Sequence, residues 1–344
     1  MVSNTRSILS LSLGLALALS GCAEVPQSTN ADAAKALAAG ELRAAQAHVG
    51  AVFSSGTADT QTQRIKLDLM LRLGDGYAAM AAIEALPEEA LNEGDRRVAT
   101  AHALVLQGKP QDAADQYEGM EAEAFTEQDF RMALWALRDL ELGEEFEAGM
   151  NAGLERFPES PDLNAMAAQA LIELDEYEEA AQHAERALAA DPDHFEARLA
   201  MGEIAIEQED LEAALGHYEA ASRVYPDFAV PHANVAGLLL DLNRIDEAGE
   251  ALKAARMAGE EEPFVQWQFA RYALAMNDLD TARVALETAR RTYRGDDEFT
   301  LFSARAEEAF GNRPLALSEY QRYLKAVGED DAIEAKVAQL ETQG

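Results

Sequence analysis

The chain has 344 residues, one cysteine and a formal net charge of −35, from 63 acidic and 28 basic side chains. Charge of this sign and size repels nucleic acid and anionic lipid headgroups, which excludes both as partners. A single cysteine also excludes a disulfide within the chain. We interpret the acidic surface as a means of solvation, and attraction of a basic partner is the functional alternative.

The first 21 residues predict a secretory signal. Arg6 supplies a positive start, and residues 8–19 form an apolar run of 12 residues that is too short to span a bilayer stably. The segment Leu19-Ser20-Gly21-Cys22 resembles the bacterial lipobox, which ends in the cysteine that receives lipid. This resemblance implies cleavage before Cys22 and lipidation of Cys22. The alternative is an ordinary signal peptide with an incidental cysteine.

Residues 22–31 form a short polar tether that should hold the following domain close to the bilayer surface. Ala23 follows the cysteine, and the absence of aspartate there fits outer-membrane sorting as known for lipoproteins of enteric bacteria. We therefore expect a lipid-anchored protein of the bacterial cell envelope, located at the outer membrane and facing the periplasm.

A 34-residue interval organises the rest of the chain, and a period of this length is typical of a repeat array. Small residues recur at this interval in three sets: Gly40, Gly74 and Gly108; Ala45, Ala79 and Ala113; Ala180, Ala214, Ala248, Ala282 and Ala316. With units numbered from Pro161, apolar residues follow helical spacing at unit positions 4–14 and 18–30, separated by short polar connectors. Each unit is therefore predicted to be an antiparallel helix pair, with small residues where the two axes cross.

The pattern resembles the tetratricopeptide repeat. It has small residues at unit positions 8, 20 and 27, a large residue at 17 or 24 and proline at 32, and residues 176–194 match the second half of that repeat closely. The resemblance implies an all-α, right-handed α-solenoid of about nine helix pairs. We expect degenerate repeats over 32–160, well-matched repeats over 161–330 and a capping helix over 331–344. That last helix would turn Ile333, Val337 and Leu340 inward.

The unit at about 129–160 is irregular. Ala136, Gly143 and Ala148 fit the pattern if this unit is two residues short. In that register Trp135 falls at a core position, so we expect it to be structural.

No catalytic constellation is visible in the sequence. Phosphate loops, nucleophile elbows and paired-cysteine motifs are absent, and no two of the six histidines lie three or four residues apart as a helical metal site requires. We therefore expect a non-enzymatic protein without metal or cofactor and without a small-molecule substrate. An enzyme with an unseen site is a remote alternative.

Binding of other proteins is the function class that remains after these exclusions. The resemblance implies that the first helix of each unit lines a concave groove through unit positions 2, 5, 9 and 12. Aromatic and arginine side chains dominate interface energies, so our candidate ligand patch is Phe264, Trp267, Arg271, Leu301 and Arg305. The alternative is that Trp267 packs between neighbouring repeats while the arginines pair with nearby acids. The sequence leaves both interpretations open.

These features together predict a lipoprotein adaptor or scaffold for an envelope assembly of the pilus, secretin or polysaccharide-export type. Its partners would be envelope proteins or peptide segments bound in the groove. A soluble periplasmic protein with a chaperone-like binding role is the alternative.

Overall fold

A computed structural model of the chain describes residues 28–120, 125–293 and 295–342. The signal segment, Cys22 and the tether up to residue 27 lie outside the described residues. Within the described ranges all regular structure is helical. None of the helices in this part of the chain is both long enough and apolar enough to cross a membrane.

The chain divides into two compact units, and the first extends to Glu118. It contains six α-helices and a short 3-10 helix at Glu88–Ala90. The helices are α1 (Asn30–Ala38), α2 (Leu42–Ser54), α3 (Thr60–Arg72), α4 (Gly76–Ala85), α5 (Glu93–Leu106) and α6 (Pro110–Tyr117).

The second unit begins at Gly119 and contains thirteen described helices. They are α7 (Glu127–Asp139), α8 (Gly143–Arg156), α9 (Pro161–Ile172), α10 (Tyr177–Ala190), α11 (Phe195–Glu207), α12 (Leu211–Val224), α13 (Ala229–Asp241), α14 (Ile245–Gly259), α15 (Pro263–Ala275), α16 (Leu279–Arg290), α17 (Asp297–Ala309), α18 (Arg313–Val327) and α19 (Asp331–Thr342).

Consecutive helices form nine pairs, α1–α2 through α17–α18, and α19 follows the last pair. In eight pairs the second helix carries an alanine with 0% exposure at unit position 20. These alanines are Ala45, Ala79, Ala113, Ala180, Ala214, Ala248, Ala282 and Ala316. Complete burial of so small a side chain is what close helix crossing requires. The predicted all-α repeat fold of about nine helix pairs is confirmed.

The turn inside each pair holds one residue in the left-handed region, with φ between 57° and 74°. Glycine adopts this conformation without steric cost, which explains the glycine column of the sequence. These residues are Gly40, Gly74, Gly108, Glu141, Asp175, Glu209, Asn243, Asn277 and Gly311.

The turn residues also correct the register of the fourth unit. Glu141 and Asp175 are 34 residues apart, as are the starts of α7 at Glu127 and α9 at Pro161. The prediction that this unit is two residues short is therefore wrong. The spacing between successive turn residues departs from 34 at one place, where Gly108 and Glu141 are 33 residues apart; we call this the one-residue step.

Helix α19 covers the end of the last pair. Its Ile333 and Leu340 are buried, and together with Val337 they pack against Ala316 and Tyr320 of α18. The opposite face of α19 is exposed, as expected of a helix that ends a repeat array.

The buried alanine column can be tested by substitution. Ala180 packs with Ala168 and Ile204, so Ala180→Leu should overpack the crossing of α9 and α10. We expect a loss of about 1–3 kcal/mol in the free energy of unfolding, measured by urea denaturation. Ala189→Leu is the matched control, because Ala189 is exposed on the same helix. Equal losses in the two variants would contradict the crossing assignment.

Candidate protein-binding groove

The first helices of three consecutive pairs in the second unit, α7, α9 and α11, line a cavity of about 320 Å³. Its lining residues come mainly from unit positions 2, 5, 9 and 12, the positions expected to face a concave groove. We call it the Trp135 groove, and its lining residues are Arg131, Trp135, Arg138, Asp162, Ala165, Met166, Gln169, His194, Glu196 and Leu199.

Trp135 is the largest side chain in this groove, and 44% of it is exposed. Arg131 and Arg138 lie four residues before it and three residues after it, so all three share one face of α7. The prediction that Trp135 is a core residue is wrong, because the unit begins at Glu127 and Trp135 takes unit position 9.

Three polar side chains link the first helices across the groove. Arg131 of α7 donates to Asp162 of α9 over 2.8 Å. The other carboxylate oxygen of Asp162 accepts from His194 Nε2 at 3.2 Å, and His194 Nδ1 accepts the backbone N–H of Ala197 at the start of α11. These contacts join α7, α9 and the start of α11 along one side of the groove.

The same contacts shift two pKa values. The hydrogen bond from His194, followed by the charge of Arg131, holds the pKa of the Asp162 carboxyl below its ordinary value despite partial burial. Burial disfavours the charged form of His194, but Asp162 and Glu196 outweigh it and raise the pKa of the imidazole. Both shifts favour the ionised forms of Asp162 and His194, and Nδ1 of His194 accepts the Ala197 N–H only while the imidazole is neutral.

Two further contacts shape the groove. Arg138 forms an ion pair with Glu173 at the end of α9, which ties α7 to α9 at a second point. Glu203 of α11 accepts a hydrogen bond from Gln169, and burial followed by the negative charge of Glu173 raises the pKa of the Glu203 carboxyl. The groove thus combines an exposed aromatic ring with charges of both signs.

The structure places most of the sequence-predicted patch in packing contacts. Trp267 is only 5% exposed, and its ring lies 5.3 Å from Phe299, 5.2 Å from Tyr293 and 5.9 Å from Phe264, centroid to centroid. Trp267 occupies unit position 5, one of the positions expected to face the groove, but its ring packs on Phe299 of the next pair. Trp267 is therefore a packing residue and does not present its ring to a ligand.

The other members of the patch are also largely engaged. Arg271 is held by an ion pair with Asp241 and a 2.9 Å hydrogen bond to Gln268, while Leu301 is half-buried against the cluster around Tyr320. Arg305 is exposed. A binding role for Phe264, Arg271, Leu301 and Arg305 stays a prediction.

The described residues contain no group of three or more histidine, cysteine, aspartate or glutamate side chains that could hold a metal ion. The groove therefore supplies packing, charge and hydrogen bonding for recognition. A signal for Trp135 was present in the sequence: the 34-residue step, counted back from Pro161 without shortening, places it at unit position 9.

The coupling of Asp162 and His194 can be measured. In Asp162→Asn the pKa of His194 should fall, because the neutral amide no longer stabilises the imidazolium. NMR titration of the imidazole signals checks this. His217 is the control, since it contacts Arg198, and burial and that arginine lower its pKa independently of Asp162.

The raised pKa of His194 determines how the free energy of unfolding depends on pH. The stabilising contribution of the pair is fully present below the ordinary histidine pKa of 6.5 and is lost as pH rises through the folded value. The stability difference between wild type and Asp162→Asn should therefore shrink across that interval. An unchanged His194 pKa in the variant would refute the coupling.

Comparison with known proteins supports this description. The family model of the tetratricopeptide repeat matches residues 165–227, 199–263 and 268–331. No curated protein matches the chain.

Solved structures with the same fold have low sequence identity. PilF of Pseudomonas aeruginosa is 17% identical with a TM-score of 0.51, covering 63% of this chain and 97% of PilF. PilW, a widely conserved type IV pilus biogenesis factor, is 15% identical with a TM-score of 0.50, covering 61% of this chain and 97% of PilW. The Cut9–Hcn1 structure from the APC/C is 11% identical with a TM-score of 0.56, covering 91% of this chain and 77% of that one.

These similarities show the fold, and the family match confirms the resemblance found in the sequence. Repeat arrays of this kind use extended concave surfaces to bind other proteins. Tetratricopeptide repeats therefore occupy residues 165–263 and 268–331 of the chain.

Proposed function

We propose that this protein is a non-enzymatic adaptor of the bacterial cell envelope, anchored by lipid at Cys22. In this proposal the Trp135 groove binds a peptide segment of a partner in an envelope assembly of the pilus type. The anchor and the array have separate tasks: Cys22 sets the location, and the groove selects the partner.

The observation that carries the proposal is the exposure of Trp135 in the groove. Tryptophan and arginine are the residue types most enriched among residues that dominate binding energy. Here an exposed ring lies between two arginines that α9 already holds in place through Asp162 and Glu173. A partner that covers the ring therefore gains apolar burial without having to order the arginines first.

The envelope location is supported by the apolar run that ends at Cys22 and by the similarity to PilW, a type IV pilus biogenesis factor. The pilus is the assembly that this similarity favours among the pilus, secretin and polysaccharide-export types.

The groove can be tested by site-specific photocrosslinking in the native bacterium. A photoreactive phenylalanine analogue at position 135 should yield a discrete adduct with an envelope protein. The same analogue at Tyr225 is the control, because Tyr225 is 55% exposed outside the groove lining. Equal adducts from both positions would contradict a specific groove.

The contribution of the ring can then be measured with the captured partner. Trp135→Ala should weaken the complex by about tenfold or more, because a buried aromatic anchor contributes about 2 kcal/mol. Tyr225→Ala should leave the affinity within about twofold. Unchanged affinity in Trp135→Ala would remove Trp135 from the site.

The anchor has an independent test. Wild-type protein should sediment with membranes, whereas Cys22→Ser should appear in the soluble fraction because it lacks the acyl chains that bind the bilayer. Fractionation of both forms, with mass analysis of the mature amino terminus, checks this. Continued membrane association of Cys22→Ser without lipid would refute the anchor.

A further inference from the structure

The fourth helix pair, α7–α8, lacks the small residues that bring the other pairs together. Its second helix has Phe146 at unit position 20, where the other eight pairs have a fully buried alanine. Its first helix has Leu134 at unit position 8, where most first helices have alanine or glycine. Two bulky side chains cannot occupy one close crossing.

The helices instead approach each other at another point. A Cβ atom placed on Gly149 would lie 3.2 Å from Leu134 Cδ2, so Leu134 packs directly over this glycine. Gly149 lies three residues after Phe146, so the close approach has moved by about 4.5 Å along α8. Phe146, in the first turn of α8, is only half-buried.

This displacement opens a cavity of about 820 Å³ between α7, α8, α9 and α10, which we call the α8 cavity. Its volume lies in the range of ligand sites, about 300–1,000 Å³. The floor is apolar, formed by Leu137, Phe146, Met150, Leu154 and Leu171.

The apolar surface continues out of the cavity. Leu142 and Leu174 belong to the lining but lie in consecutive turns, where Leu174 is 70% exposed and Leu142 37% exposed. An occupant that covers both leucines must extend beyond the cavity. This favours a polypeptide over a small molecule.

The rim is strongly acidic. Glu141, Glu144, Glu147, Glu173 and Glu179 belong to the lining, whereas its one arginine, Arg138, is already paired with Glu173. A second copy of this chain, with its net charge of −35, is repelled by such a rim. The complementary occupant is apolar on one side and positively charged at its edges.

We propose that the α8 cavity is a second protein-binding site, which takes the leucine-rich face of a basic amphipathic helix from a partner. Apolar side chains of that helix fill the floor beside Phe146, and its lysines or arginines contact the glutamates of the rim. This site shares only Arg138 with the Trp135 groove and does not depend on the function proposed for that groove.

The test uses the purified protein and a fluorescein-labelled 14-residue helical peptide of leucine and lysine, with fluorescence anisotropy as the readout. Leu174→Ser should weaken binding of the peptide by about tenfold, because Leu174 forms the apolar exit of the cavity. Val284→Ser is the matched control, since Val284 is also 70% exposed but lies on α16. Equal affinities of the two variants would overturn the proposal.

The charge of the rim is tested separately. Glu144→Gln/Glu147→Gln should weaken binding and reduce its salt dependence, whereas Glu145→Gln/Glu155→Gln removes the same charge from exposed positions of α8 outside the lining. A matched leucine–glutamate peptide should not bind. Equal effects of the two double variants, or binding of the acidic peptide, would refute the site.

The location of the bound peptide is tested with a variant of the Trp135 groove. Trp135→Ala should leave peptide binding unchanged. Loss of peptide binding in Trp135→Ala, with full binding in Leu174→Ser, would place the peptide in the groove and overturn the proposal.

Discussion

The distance between the two helices of each pair is the constraint on which the rest of the structure depends. A fully buried alanine at unit position 20 sets that distance in eight pairs, and the burial is complete in each of them. Pairs of equal thickness stack at equal intervals within a unit, so their first helices lie side by side in register. Two of the three helices that line the groove, α9 and α11, belong to such pairs, and α7 lies beside them although its pair has Phe146 at that position.

The sequence contained most of the fold because the period is itself a packing requirement. Alanine and glycine columns mark crossings and turns, and both predict helix pairs without knowledge of any contact. The sequence could not decide between the two tryptophans, because their roles depend on where neighbouring first helices meet. Trp267 at unit position 5 is covered by Phe299 of the next pair, whereas Trp135 at unit position 9 is left exposed.

The polar contacts of the groove also could not be predicted from the sequence. Arg131 lies on α7, Asp162 on α9 and His194 directly before α11, separated by 31 and 32 residues. In a chain with 63 acidic residues, many acids lie at comparable spacings from any arginine. Backbone geometry and side-chain rotamers select the partners, so a chain of contacts across three helices has no unique signature in one sequence.

Two surfaces of the second unit share one residue. Arg138 belongs to the lining of both the Trp135 groove and the α8 cavity, and its ion-pair partner Glu173 belongs to the lining of the cavity. A ligand that displaced Glu173 from Arg138 in the cavity would release a guanidinium beside Trp135. The geometry therefore gives the two surfaces a direct physical connection through a single side chain.

The one-residue step between Gly108 and Glu141 divides the turn residues into two sets with different phases of the 34-residue period. Turns before it keep one phase of the 34-residue period, turns after it keep another, and the boundary between the compact units at Glu118 and Gly119 falls in the same interval. Each array is therefore internally consistent without reference to the other. A 34-residue count that starts from a turn of the first unit therefore misses each turn of the second unit by one residue.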